Sequence, residues 1–457
     1  MVSPPPLGGR NVSKAMTGLG YRDAGRFDQQ RLVVSRQRNS GGGPVSAVVS
    51  GAAFGTRRAV EDGQRLGVSR MGRNLAPSRA MGIAALCGFL LMASSGTAAF
   101  GSPRAVYVQT NSAPNYVLAF DRNSDGTLGG AIRYATGGNG KPTANPPLGI
   151  PFLDSAGSVV LSDDGRFLFV VNAGDNSVTS FRVGPGGLQR EDNVNTDGSR
   201  PISATSHGKL LYVLNSEATQ ASITGFRVGA DGTLIQIAHQ STSQPNGGMP
   251  AQIQFDASGD WLTVSERNGG AIGQIDVFAV DKNGVAGAPS ASPSSDNGPF
   301  GIAFTHQDLM IVSNEHFPDV FAPGPLLSTV SSYAFSDGSI AAIDTELANA
   351  GGACWNVITN DDKYVLVTSP FTGNINSFAI GKHGKLIPVN ESSVVATASG
   401  ATLDEALSRD SHHLYVLDSA GFVSSVVDEY AVNKDGTVTL VGSTAAFEGS
   451  ASGAAAW

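Results

Sequence analysis

Residues 161–188, LSDDGRFLFVVNAGDNSVTSFRVGPGGL, contain two runs of alternating apolar residues, each flanked by a cluster of Gly, Asp and Asn. Alternation with a period of two indicates half-buried β-strands, and Asp-Gly and Gly pairs supply the backbone conformations that tight hairpin turns require. The stretch therefore predicts antiparallel strands joined by short turns. Whether it is one isolated hairpin or one copy of a repeat decides the fold.

The second half of this stretch recurs along the chain as an aromatic-containing strand, a Gly turn and an apolar residue. The copies are FDRNSDGTL (120–128), FRVGPGGL (181–188), FRVGADGTL (226–234), FAVDKNGV (278–285), YAFSDGSI (333–340), FAIGKHGKL (378–386) and YAVNKDGTV (430–438). Their turn glycines, at 126, 186, 232, 284, 338, 384 and 436, lie 46 to 60 residues apart. A repeat of this length is typical of solenoids, propellers and arrays.

A second apolar strand precedes six of the seven copies, as in LSDDGRFLFVVN (161–172). Each unit then holds four short antiparallel strands, which predicts an all-β, seven-bladed β-propeller over residues 100–457. A parallel β-helix is the structural alternative, although its rungs are usually shorter. The first unit lacks its inner strand, so we predict that the C-terminal stretch EGSASGAAAW (448–457) pairs beside residues 104–110 and closes the ring.

Charge and composition divide the chain near residue 100. Residues 1–99 carry 13 Lys/Arg against 4 Asp/Glu, whereas residues 100–457 carry 17 against 34, a net charge of −17. Such an acidic body argues against binding nucleic acid. Within 71–99, two arginines precede a 14-residue apolar run and small residues at 97 and 99, which is typical of a secretory signal peptide.

We therefore expect residues 1–70 to be a non-native or disordered extension and residues 71–99 to be a signal peptide. An organelle transit segment is the alternative. The protein that remains would be extracytoplasmic, either periplasmic or secreted, with no stable membrane anchor after cleavage.

The number of cysteines and the absence of metal-binding motifs limit the disulfides and metal sites that the sequence can form. After residue 99 only Cys354 remains, so no internal disulfide can form. Neither C-x-x-C nor H-E-x-x-H occurs, so we predict no metal site and no cofactor. The Cys354-Trp355 pair is expected to be buried at the start of a blade rather than to supply a thiol nucleophile.

The sevenfold cadence DDGRFLFVVN…SVTSFRV…GL resembles that of the seven-bladed β-propeller lactonases, which include phosphogluconolactonase-type and carboxymuconate-cyclising enzymes. The family's active blades open an inner strand with Pro-Arg-His and close the next strand with Asn-Glu. Here the openings read Pro250-Ala251-Gln252 and Pro299-Phe300-Gly301, while the closing pair is retained as Asn314-Glu315. The resemblance implies the fold and a lactone-processing activity.

Strand direction predicts which face of the propeller carries a site. Loops after the second strand of each blade share one face with the loops between blades, and the long Pro-rich segments 136–154 and 315–328 lie among them. Arginine can hold a carboxylate through two parallel hydrogen bonds, and Glu or His can move a proton. We predict catalytic roles for Glu315, His316, Arg267 and Glu266, and substrate binding by Arg200, Gln252, Asn314 and Trp355.

Two functions remain open at this stage. The first is an exported lactonase-like enzyme that hydrolyses or forms an unphosphorylated lactone of the aldonolactone or muconate type, with a small carboxylated or lactone substrate. The second is a non-catalytic propeller whose loop face binds a protein or glycan. A propeller supports both, since a fold does not determine a function.

Overall fold

The computed structural model describes residues 104–142, 153–217, 220–245, 248–267, 272–316, 328–449 and 451–457. The expected N-terminal extension and signal peptide lie outside these residues. Within the described part of the chain, helix is limited to a 3₁₀ turn at Lys382–Gly384, and no helix is long and apolar enough to cross a membrane.

The described residues form seven antiparallel sheets, which we number as blades 1–7. Blade 1 contains β1 (Ala105–Gln109), β2 (Tyr116–Arg122), β3 (Leu128–Ala135) and β30 (Ser452–Ala456). Blade 2 contains β4 (Val159–Leu161), β5 (Phe167–Asn172), β6 (Ser177–Gly184) and β7 (Gly187–Asn195). Blade 3 contains β8 (Ser199–His207), β9 (Leu210–Glu217), β10 (Gln220–Val228) and β11 (Leu234–Pro245). Blade 4 contains β12 (Pro250–Phe255), β13 (Trp261–Glu266), β14 (Ile272–Val280) and β15 (Ala286–Asn297).

The last three blades follow the same order. Blade 5 contains β16 (Pro299–Phe304), β17 (Leu309–Asn314), β18 (Thr329–Ser336) and β19 (Ser339–Leu347). Blade 6 contains β20 (Trp355–Ile358), β21 (Tyr364–Ser369), β22 (Asn374–Ile380), β23 (Leu386–Pro388) and β24 (Val394–Thr397). Blade 7 contains β25 (Ala401–Leu407), β26 (His413–Ala420), β27 (Ser424–Val432), β28 (Val438–Ser443) and β29 (Phe447–Glu448). The seven-bladed propeller predicted from the repeat is confirmed.

The C-terminal strand closes the ring, as the missing strand of the first unit predicts. β30 pairs antiparallel with β1, with Val106 opposite Ala456 and Val108 opposite Ala454. It therefore becomes the innermost strand of blade 1. Small side chains suit this position, because inner strands approach one another most closely at the propeller axis.

The hairpin turns carry the expected left-handed residues, with one correction. Gly232, for example, has φ 92°, a conformation that glycine adopts without a steric penalty. In blade 2 the positive φ, 95°, belongs to Gly187 rather than to the predicted Gly186. The turn there is shorter, since Gly184 pairs with Gly187 across two residues.

The axis is filled by apolar side chains at one end of the inner strands. Trp355 and Phe300 meet edge to face with ring centroids 5.2 Å apart, and both belong to a buried cluster that includes Ala251 and Leu403. The Trp355 indole N–H donates to the Ser155 carbonyl at 2.9 Å. We call the face at this end, with the loops after strand two and between blades, the upper face.

Candidate functional site

Arg267 and Glu315 occupy the same position in neighbouring blades. Each follows the second strand of its blade, since β13 ends at Glu266 and β17 ends at Asn314. Strand two lies next to the inner strand, so this position faces the axis at the upper face. The two side chains meet there, with Arg267 Nη1 lying 3.2 Å from Glu315 Oε1.

Asp154 supplies a second carboxylate to the same guanidinium. Its Oδ2 lies 3.0 Å from Arg267 Nη1, and it comes from the approach to β4 in blade 2. Asp154 has φ 59°, in the left-handed region that Asp adopts more readily than most residues. Arg267 also donates from Nε to the Met249 carbonyl at 3.0 Å and lies over the Phe300 ring, 5.2 Å from its centroid. One buried arginine thus links loops of three blades.

Glu315 is the titratable centre of this group. Its side chain is 3% exposed, and burial raises its pKa from 4.5 to about 7, against the opposing effect of Arg267. The Cys354 thiol lies against the other oxygen, donating to Glu315 Oε2 at 3.7 Å. Burial and the neighbouring carboxylates raise the pKa of Cys354 well above its usual value, so it remains a thiol. We call Asp154, Arg267, Glu315 and Cys354 the charge cluster.

The Cys354-Trp355 pair is buried at the start of β20, as the sequence predicts, with each residue 2% exposed. Its position adds a contact that the sequence does not reveal. Cys354 precedes the inner strand of blade 6, so its side chain reaches Glu315 of blade 5. The pair therefore joins the charge cluster to the apolar filling of the axis.

His316 makes its ion pair away from the charge cluster. Its Nε2 lies 3.0 Å from Asp296 Oδ2, and Asp296 belongs to β15, the outermost strand of blade 4. Asp296 also accepts a hydrogen bond from Thr329 Oγ1 at 2.7 Å. The structure therefore brings Arg267 and Glu315 together and directs His316 outward. A catalytic role for His316 stays a prediction.

Glu266 and Asn314 share an equivalent place at the end of strand two, and both reach towards strand three. Glu266 Oε2 accepts a hydrogen bond from Gln274 Nε2 at 3.2 Å. Asn314 Nδ2 donates to Thr329 Oγ1 at 3.1 Å and to Ser331 Oγ at 2.8 Å. These contacts tie adjacent strands of one blade. The catalytic and substrate-binding roles predicted for the two residues are not tested by them.

Arg200 and Gln252 contact backbone groups. Arg200 Nη2 donates to the Leu153 carbonyl at 3.1 Å, close in sequence to Asp154. Gln252 donates from Nε2 to the Ile302 carbonyl at 3.1 Å and accepts from the Ile302 N–H at 2.7 Å. Gln252 thereby joins the inner strands of blades 4 and 5. Trp355 packs against Phe300 in the buried apolar cluster. The binding roles predicted for Arg200, Gln252 and Trp355 stay predictions.

Among the residues that the structure describes, those of the charge cluster surround a guanidinium rather than a metal ion. No group of three or more His, Cys, Asp or Glu side chains in the described part of the chain could hold a metal ion. The charge cluster has two carboxylates, but an arginine occupies the space between them. A carboxyl and a guanidinium arranged in this way are able to transfer a proton and to stabilise a developing negative charge.

Comparisons with known proteins agree with the architecture. A family model described as "Lactonase, 7-bladed beta-propeller" matches residues 105–223 and 202–290, from blade 1 into the outer strand of blade 4. A search of curated proteins found no match.

Several solved structures share the fold. A Pseudomonas aeruginosa periplasmic gluconolactonase is 19% identical with a TM-score of 0.56, over 77% of this chain and 98% of that one. A Bacteroides uniformis protein described as a candidate 6-phosphogluconolactonase is 18% identical with a TM-score of 0.57, over 75% and 96%. At these identities the structures support the fold alone. The family match over residues 105–290 and the seven closed blades make this chain similar to the seven-bladed β-propeller lactonases.

Proposed function

We propose that this protein hydrolyses an uncharged lactone at the charge cluster, with Glu315 as the group that moves the proton. The observation that carries the proposal is the buried Glu315 carboxyl beside Arg267, with a pKa raised to about 7. A carboxyl with a pKa near the working pH can accept and return a proton efficiently. Perturbed groups of this kind concentrate at functional sites.

The charges of the cluster favour an uncharged substrate. Arg267 faces both Asp154 and Glu315, so the cluster is neutral when Glu315 is protonated and carries one negative charge when it is ionised. A phosphate or carboxylate on the substrate would meet two carboxylates around a single guanidinium. An unphosphorylated aldonolactone therefore fits better than a sugar-phosphate lactone or a muconate.

In the proposed reaction Glu315 acts first as a base and then as an acid. The ionised carboxylate takes a proton from a water molecule, whose oxygen attacks the lactone carbonyl and forms the new C–O bond. The ring C–O bond then breaks, and its oxygen receives the proton from Glu315 to give the hydroxy acid. Arg267 stabilises the negative charge that develops, and Asp154 holds the guanidinium in place.

An extracytoplasmic location is part of the proposal. It is supported by the signal-like composition of residues 71–99 and by the fold shared with a gluconolactonase described as periplasmic. N-terminal sequencing of the exported protein tests it, and a first residue well before 100 contradicts it.

The activity is tested by pH-stat titration of the purified protein with gluconolactone and its 6-phosphate. We expect acid release from the uncharged lactone to exceed the uncatalysed rate and to exceed that from the phosphorylated one. Glu315→Gln, which keeps the shape and removes the proton-accepting group, should reduce turnover about 100-fold or more. The matched control is Glu391→Gln on an exposed loop. Full activity in Glu315→Gln would contradict the assignment.

A second function is favoured by one observation, the closed set of contacts around Arg267. Its Nη1 and Nε are engaged by Asp154, Glu315 and the Met249 carbonyl, as in an ion network that holds blades together. Under this alternative the protein is a non-catalytic propeller that binds a protein or glycan through its upper face. Substitutions at the cluster would then lower stability, and the wild-type protein would release no acid from any lactone.

A further inference from the structure

An axial cavity of about 350 Å³ is lined by Trp355 and by none of the four residues of the charge cluster. Inner-strand residues of six blades line it, and they extend from Gln252 and Trp355 to the strand ends at Phe304 and Leu407. Because inner strands run away from the upper face, the cavity extends towards the opposite, lower face. It is therefore separate from the charge cluster.

Two neighbouring acids, Asp404 and Glu405 of β25, stand in this cavity without a base. Among the described residues that line it they are the ionisable ones, with no Lys, Arg or His beside them. Each is 4% exposed. Asp404 accepts hydrogen bonds from the N–H groups of Glu405 at 2.8 Å and Ala454 at 3.2 Å.

Glu405 differs from Asp404 because both of its carboxyl oxygens are buried without a hydrogen-bond partner among the described residues. The side-chain oxygen of Asn356, which lines the same cavity, is also buried and unpartnered. Buried polar groups are nearly always hydrogen-bonded, and leaving them unpaired is costly. A positively charged ligand would satisfy these three acceptors and would also offset the charge of the neighbouring carboxyl.

We propose that the axial cavity binds a divalent metal cation that keeps part of its water shell, with Glu405 as a direct ligand. Asp404 balances the second charge, and Asn356 accepts from the bound water or contacts the cation. Oxygen ligands suit Mg²⁺ and Ca²⁺, and Mg²⁺ in particular is commonly held by one or two carboxylates with several waters retained. The cavity has room for this, because a water molecule occupies about 30 Å³.

The test is thermal unfolding of the whole protein in EDTA, then with added Mg²⁺ or Ca²⁺, for wild type and Glu405→Gln. Glutamine preserves the shape and removes the charge, and Glu391→Gln on an exposed loop is the matched control. We expect a cation-dependent rise in Tm for wild type and for the control. In Glu405→Gln we expect apparent affinity to fall about tenfold or more, since changes even in the outer ligand shell cost 10–100-fold.

Terbium luminescence gives an independent readout, because Tb³⁺ replaces Ca²⁺ at oxygen sites and is sensitised by a nearby indole. Trp355 lines the cavity, so we expect a signal that Ca²⁺ competes away and that Trp355→Phe abolishes while the Tm shift persists. No Tm shift in wild type, or an equal shift in Glu405→Gln, would overturn the proposal. Neither measurement uses lactone turnover. The cation-binding proposal can therefore be tested independently of the proposed activity.

Discussion

Two groups of buried acids lie along the propeller axis, and they differ in whether a base accompanies them. At the upper face Asp154 and Glu315 share the guanidinium of Arg267, while in the axial cavity Asp404 and Glu405 have no basic neighbour among the described lining residues. Burial raises the pKa of Glu315 in the first group and of both acids in the second. Arg267 limits the rise for Glu315 to about 7, whereas the pKa values of the axial pair rise well above their usual range.

A buried carboxyl can exchange a proton near neutral pH when a counter-charge offsets part of its desolvation. A pKa near 7 allows a group to take up and release protons in a reaction. A much higher pKa holds the proton in place unless a ligand brings positive charge. The same residue types therefore suit proton transfer in one place and cation binding in the other.

The largest effect that we expect is from Arg267→Met, which removes the only base of the charge cluster. Two buried carboxylates would then lack a partner, and breaking a buried ion pair in this way costs about 3–5 kcal/mol. Urea unfolding at neutral pH measures the loss. Arg166→Met is the control, since Arg166 makes an exposed ion pair with Asp164, and such pairs contribute about 0–1 kcal/mol. Equal losses in the two variants would mean that the cluster is not held by charge.

The pH dependence of the unfolding free energy should distinguish Glu315 in the charge cluster from the two acids in the axial cavity. Because folding raises the pKa of Glu315 from 4.5 to about 7, its contribution to stability is full below pH 4.5 and is lost as pH rises through 7. The loss is up to about 3 kcal/mol, from about 1.4 kcal/mol for each pKa unit.

Unfolding free energies between pH 4 and 9 in EDTA test this difference. Glu315→Gln should remove the decrease in unfolding free energy that ends near pH 7. Glu405→Gln should remove a different part of the pH dependence, because burial and the neighbouring Asp404 raise the pKa of Glu405 well above its usual value with no base among the described lining residues. If both variants flattened the same pH interval, Arg267 would have no special effect on its neighbours.

The sequence predicts the fold almost completely but predicts the site only in part. Strand alternation and turn glycines repeat at regular intervals, so local signals alone establish seven blades and the closing strand. Gly187 was missed because GPGGL offers three glycines and the shorter turn selects the last. Arg267 and Glu315 could be placed together, since they hold one repeat position in adjacent blades.

Contacts between distant blades leave no local signal, which explains what the sequence did not reveal. Asp154 ends a long segment before blade 2, yet it reaches Arg267, 113 residues later in the chain. Glu405 lies two residues from Leu403 and from Leu407, so it shares a strand face with apolar residues, and its lack of hydrogen-bond partners among the described residues depends on the inner strands of several blades. His316 follows Glu315 directly, but the left-handed backbone there, with φ 55°, directs it to Asp296.

Asp154→Asn should shift the pH–rate profile without removing the base. Asp154 raises the pKa of Glu315 by repulsion, so loss of its charge should move the acidic limb of kcat/KM about one pH unit lower. Initial rates of lactone hydrolysis across pH 5–9 give the position of the acidic limb of the kcat/KM profile. Asp404→Asn is the comparison, and we expect its limb to stay where the wild-type limb lies. A shift towards higher pH in Asp154→Asn would contradict the electrostatic account.

The smallest expected effect is from Cys354. Its S–H group donates to Glu315 Oε2, which favours the ionised carboxylate and lowers the pKa of Glu315. Cys354→Ala should therefore move the acidic limb of the kcat/KM profile about half a pH unit towards higher pH. A single hydrogen bond contributes about 0.5–1.5 kcal/mol, and a thiol is a weak donor. Cys354→Ser, which restores a donor, should return the limb to the wild-type position or below it. If alanine and serine shifted the limb alike, Cys354 would act through packing beside Trp355, and Arg267 alone would set the difference between the two groups of acids.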